Sequence, residues 1–96
     1  PVRFRLRLLD ASLPQLPGCA GLTDLTLDAA SFAALALPVE RVYVTENEVN
    51  FLAFPAQPQS IVVFGAGYGW EALAAADWLR RQPLYYWGDL DTHGFA

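Results

Sequence analysis

The sequence predicts an α/β fold built on a parallel sheet with flanking helices. "RVYVT" (41–45), "SIVVF" (60–64) and "PLYYW" (83–87) are short runs, apolar or β-branched over most of their length, and two of them carry no polar face. Stretches of helical character, "ENEVNFLAF" (46–54) and "GWEALAAADWLRR" (69–81), lie between them. Strands without a polar face need cover on both sides, and strand–helix–strand order joins neighbours in parallel.

Each element has its own local signal. "PVRFRLRLL" (1–9) alternates apolar residues with Arg3, Arg5 and Arg7, which gives a strand one apolar and one cationic face. That ridge is either an ordinary solvated strand face or a surface turned toward phosphates, for which the planar guanidinium fork is suited. "DASLPQLPGCAG" (10–21) is broken by prolines and glycines and reads as a loop. "LTDLTL" (22–27) alternates as a short strand, and Asp28 is placed to cap a small helix, "AASFAALAL", that stops before Pro38. Residues 1–40 thus form a strand, loop and helix segment leading into an α/β core at 41–96. The aromatic run of "PLYYW" is expected in a central strand, packed in the core, with base stacking as the other reading.

Composition limits the function classes. With 96 residues the chain is at most one domain and buries only roughly 60–65% of its unfolded surface. Hydrophobic residues nevertheless make up 54% and charged residues 17%, which suggests a piece of something larger. Opening on Pro1 and stopping two residues after a glycine turn, both ends look cut, and the fold is expected to be incomplete at the C-terminus. The single Cys19 excludes a disulfide framework or a paired-cysteine metal knuckle and suits a reducing, cytoplasmic setting. The uncharged run from Val49 to Trp70 is long enough to cross a bilayer, but its prolines, glutamines and glycines argue against a membrane helix. A net charge of −4 predicts weak binding to duplex DNA at physiological salt and little activity for this piece alone.

In sheets of this class ligands sit beyond the carboxyl ends of the strands. The loops there are "TENE" (45–48), "GAGYG" (65–69) and "GDLDTHG" (88–94). Asp89 and Asp91 are two residues apart, so in extended chain they point the same way, about 6.6 Å apart. At roughly 6 Å and an effective dielectric of about 20, two carboxylates repel by about 3 kcal/mol. Glu46 would bring a third oxygen donor to the same rim if the first and last of these strands are neighbours. A hard divalent cation, Mg²⁺ or Mn²⁺, answers that charge. The simpler alternative is a turn in which Asp89 caps and Asp91 accepts from nearby backbone N–H groups.

Neighbouring residues have double readings. His93, the single histidine, is a hydrogen-bonding turn residue, a metal ligand or a contact to phosphate or leaving group. Glu48 either complements the helix N-terminus or stands as an acid behind the metal. "FGAGYGW" lacks the last glycine of a dinucleotide fingerprint, since Trp70 holds that place. Its glycines, Gly67 among them, make a tight strand-to-helix turn whose N–H groups can approach a phosphate.

The order of these pieces resembles the Toprim domain of topoisomerases, primases and related nucleases. "VYVTENEVNF" followed by "GDLDTHGF" looks like the topoisomerase VI A-subunit group, and "TENEVNFLAFP", "VVFGAGYG" and "YYWGDLDTHGF" together resemble the C-terminal domain of the bacterial Wadjet plasmid-defence nuclease subunits, the JetD family. The resemblance covers 41–96. It implies a Mg²⁺-dependent DNA endonuclease in which Glu46 does acid/base work or contacts the metal while Asp89 and Asp91 bind it. Duplex plasmid DNA, SMC-like subunits of the same defence system and a second copy of the chain are the partners it implies. A third acid found in many Toprim domains is replaced here by His93. Two other classes remain open: a topoisomerase VI-like strand-cleaving enzyme with its tyrosine on another domain, and a non-catalytic phosphate- or nucleotide-binding module.

Overall fold

A computed structural model describes residues 3–65 and 76–87. Strand β1 (Arg3–Leu8) is followed by β2 (Asp24–Asp28), helix α1 (Ala29–Ala33), β3 (Arg41–Thr45), α2 (Glu48–Ala53), β4 (Ser60–Phe64), α3 (Asp77–Arg80) and β5 (Leu84–Trp87). The strands form one sheet in the order β2-β1-β4-β3-β5.

The sheet is mixed, which corrects the expectation of a parallel one. β3 lies parallel to β4 and to β5, with Val42 opposite Ile61 on one side and Leu84 on the other. β1 instead runs antiparallel to both β4 and β2, pairing Leu6 with Val63 and with Leu25. The first strand does not merely lead into the core. It occupies the edge of β4 that β3 leaves free, because its Phe4, Leu6 and Leu8 face needs the same burial as Ile61 and Val63.

β4 takes the centre. Ser60, Ile61, Val62 and Val63 are fully buried, as a strand covered on both faces requires. "PLYYW" is expected in a central strand; among the described residues β5 lies at the edge of the sheet, with Leu84 40% and Tyr85 45% exposed.

One face is covered by α1, α3 and the loop after β1, where Phe32, Trp78, Leu79 and Leu13 meet Phe4, Leu6, Val42, Val44, Ile61 and Val63. Phe32 stacks on Phe4 at 4.4 Å between ring centroids and meets Trp78 at 5.5 Å. The Trp78 indole N–H donates to the Phe32 carbonyl at 2.8 Å, so the polar edge of a buried ring is satisfied. α2 covers the other face, where Phe51 and Phe54 pack with Leu9, Val62, Tyr43 and Phe64.

The helix boundaries depend on caps. Asp28 caps α1 as expected, accepting from the Ser31 N–H at 2.7 Å, although α1 ends at Ala33 rather than reaching Pro38. The helix expected over 69–81 does not run through Ala76, whose backbone is extended at φ −90° and ψ 102°, and α3 begins at Asp77. That start turns Trp78 and Leu79 together into the core.

Candidate functional site

The candidate site is the rim where β3 ends beside β5. Thr45 closes β3 and is fully buried. Its carbonyl accepts from the Gly65 N–H at 2.7 Å and its hydroxyl oxygen accepts from the Asn47 N–H at 3.3 Å. The bend that carries Glu46 is thereby tied to the end of β4 on one side and to the start of α2 on the other. Asn47 caps α2 by accepting from the Asn50 N–H at 3.0 Å, a role that asparagine before an apolar helical run makes legible in the sequence.

Gly65 belongs to this rim. A Cβ there would lie 2.9 Å from Val44 Cγ1, so a larger residue fits only if the buried Val44 side chain shifts. Gly67, expected near a phosphate, lies outside the described residues; the glycine of "GAGYG" that stands at the rim is Gly65. Its position directly after the last residue of β4 is the signal that marks it.

The other expected site residues are distributed as follows. Glu46 is exposed and makes no hydrogen bond or ion pair among the described residues. Thr45 and Trp87 are register partners, so β3 and β5 finish level with each other. Asp89 and Asp91 follow Trp87 by two and four residues, and they, with His93, lie outside the described residues. Among the described residues no three acids, histidines or cysteines come together in a way that could hold a metal ion.

Glu48 opens α2, where a negative charge complements the helix N-terminus. It is also the partner of a cationic residue. Arg5 Nη1 donates to Glu48 Oε2 at 2.9 Å, while its Nε and Nη2 form a fork onto the two oxygens of Asp24 at 2.9 and 2.7 Å. The Arg5 guanidinium also lies over the Phe51 ring at 4.9 Å. Its hydrogen bond with Asp24, and then that with Glu48, raise its pKa above the ordinary arginine value although burial opposes them, and Asp24 is correspondingly held below the carboxylate range, first by its hydrogen bond from Arg5.

Arg7, two residues on and on the same face, donates from Nη1 to the carbonyls of Phe51 and Phe54 at 2.7 and 3.2 Å. Arg3 is exposed at the start of β1, opposite Asp28. Of the three alternating arginines, Arg5 and Arg7 thus face α2. Their spacing announced a common face but not its cover.

Beside α2, Tyr43, Asn50, Ala53, Phe54, Pro55 and Gln57 line an open cleft of about 260 Å³. Tyr43 stacks with Tyr85 at 5.4 Å, joining this face to β5. No described helix is long and apolar enough to cross a membrane.

No curated protein matches the chain. A family model does, and it spans the whole sequence: the strands of 1–40 as well as the core that carries Glu46 fall within a match to "Wadjet protein JetD, C-terminal" over residues 1–96, and the chain belongs to that family.

Proposed function

We propose that this chain forms the metal-dependent catalytic part of a DNA endonuclease in a plasmid-defence assembly, of Toprim type, with Glu46, Asp89 and Asp91 at its centre. The observation that carries the reading is the parallel pairing of β3 with β5, level at Thr45 and Trp87. Glu46 follows the last residue of β3 in sequence, and Asp89 and Asp91 follow the last residue of β5 by two and four positions. Family membership supports the setting in a Wadjet system.

The donor set suits a hard cation, since all three side chains offer carboxylate oxygens. When bound, Mg²⁺ or Mn²⁺ supplies charge stabilisation at the phosphate and activation of water or of the leaving oxygen. Glu46, Asp89 and Asp91 would hold it. Glu46 is available for that work because no described residue occupies its carboxylate, whereas Glu48 is engaged by Arg5. Arg3 remains the exposed candidate for a DNA phosphate contact, and Gly67 and His93 are candidates nearer the reacting phosphate. The proposed partners are duplex plasmid DNA, SMC-like subunits of the same system and a second copy of the chain, in a cytoplasmic setting.

The test is a nicking assay on supercoiled plasmid with the full-length protein. Cleavage should require Mg²⁺ or Mn²⁺ and should be lost in Glu46→Gln and Asp91→Asn. Cleavage that persists in chelator would overturn the metal dependence, and a covalent protein–DNA adduct would overturn direct hydrolysis in favour of transesterification by a protein nucleophile.

A further inference from the structure

We infer that Arg5 and Arg7 are positioning residues for Glu46, an inference that rests on the proposed catalytic role of that glutamate. α2 has only six residues, too few to hold a helix by backbone hydrogen bonds alone. It begins two residues after Glu46, so whatever fixes α2 fixes the bend that aims this carboxylate.

Two successive positions on the face of β1 opposite Phe4, Leu6 and Leu8 grip the helix at both ends. Arg5 takes the Glu48 carboxylate at the first residue of α2 and lies over the Phe51 ring. Arg7 donates to the Phe51 and Phe54 carbonyls at the last turn, beside the C-cap bond from the Phe54 N–H to the Phe51 carbonyl at 3.5 Å. Asp24 on β2 holds Arg5 from behind with two hydrogen bonds, which sets the direction of its remaining Nη1 donor. The Arg5 side chain is 28% exposed, whereas those of Asp24 and Glu48 are 38% and 59% exposed, so the fork onto Asp24 is the better shielded part of the grip and the Glu48 bond is open to water. β1 lies next to β4, and β4 next to β3. The clamp therefore ties the Glu46 bend to strands on the far side of the sheet centre, rather than leaving it to the short loop alone.

A phosphate-binding role for the same arginines makes the opposite kinetic prediction, and the two are separable. In the full-length protein, Arg7→Gln, Arg5→Gln and Glu48→Gln should lower kcat for plasmid nicking by about 10- to 100-fold with KM for DNA unchanged, as misplacement of a reacting group does. Arg7→Lys, which keeps a donor for the two carbonyls, should recover most of the loss. Hydrogen exchange followed by mass spectrometry should speed up by about tenfold at the amides of residues 47–54 while those of β4 stay protected.

An unchanged exchange rate over 47–54 overturns the clamp. A raised KM with a shallower salt dependence and unchanged kcat assigns the arginines to DNA phosphates and overturns it too. If the parent protein cuts no plasmid, the nuclease reading falls. Exchange in the same variants then still decides whether Arg5 and Arg7 hold the Glu46 bend.

Discussion

Thr45 and Trp87 face each other in register at the level ends of parallel strands β3 and β5. Residues that follow them in sequence, Glu46 on one side and Asp89 and Asp91 on the other, are the acids of the proposed cation site. If they converge, their repulsion weakens the metal-free fold. Asp91→Asn should then raise the melting temperature without metal and abolish the stabilisation by millimolar Mg²⁺, which follows RT ln(1 + [L]/Kd). Thermal melts of the full-length parent and variant, with and without Mg²⁺, check this. A variant that keeps the metal-induced shift removes Asp91 from the site.

Gly65→Ala should destabilise the rim. The added methyl would meet Val44 Cγ1 at 2.9 Å, and overpacking of this kind costs about 1–3 kcal/mol. Val44→Ala removes the colliding atom, so the double variant should lose less than the sum of the single losses, with a coupling of about 0.5–3 kcal/mol. Urea unfolding of the four proteins measures it, and strict additivity would show that the contact is relieved elsewhere.

Trp78→Phe should cost about 0.5–1.5 kcal/mol for the lost hydrogen bond, because the Phe32 carbonyl loses the indole donor but keeps that from the Leu35 N–H at 3.2 Å. Phe32→Ala should cost more, about 3–5 kcal/mol, since that ring is fully buried between Phe4 and Trp78. Denaturant midpoints at constant slope give both values.

Acid should unfold the protein through particular carboxylates. Asp24 is held below its ordinary 3.8 chiefly by its hydrogen bond from Arg5. Asp10 is held below the same value by the backbone N–H groups of Gln59 and Ser12, and Asp28 by that of Ser31. A carboxylate with a depressed folded pKa stabilises the fold above its unfolded pKa, and that contribution is lost as pH falls through the folded value. Stability should therefore be flat near neutrality and decline below about pH 4. Asp24→Asn should lower the neutral-pH stability and make the acid decline shallower, as read from melting temperature against pH. An unchanged acid limb would show that Asp24 adds nothing to it.

Much of the secondary structure was legible because its signals are local. β3 and β4 cover the runs Arg41–Thr45 and Ser60–Phe64 read from their β-branched composition, and Asp28 caps the helix it precedes. Of the candidate site, the sequence located Glu46 at a strand end and set the condition under which it could meet Asp89 and Asp91. That condition, adjacency of β3 and β5, is a pairing between residues some forty positions apart and has no local signature.

What the sequence determined by itself was which residues share a face and where the chain must turn, because side-chain period, proline and cap chemistry act over a few residues. Only the tertiary structure decided what each face meets. The alternation of Arg3, Arg5 and Arg7 is the same whether water, phosphate or a helix lies opposite. α2 is brought over β1 by burial of Phe51 and Phe54 against Val62 and Leu9, and this long-range packing gives Arg5 and Arg7 their partners. The same competition for apolar cover draws β1 antiparallel onto β4 and leaves β5 at the edge of the described sheet, an order fixed by contacts distant in the chain.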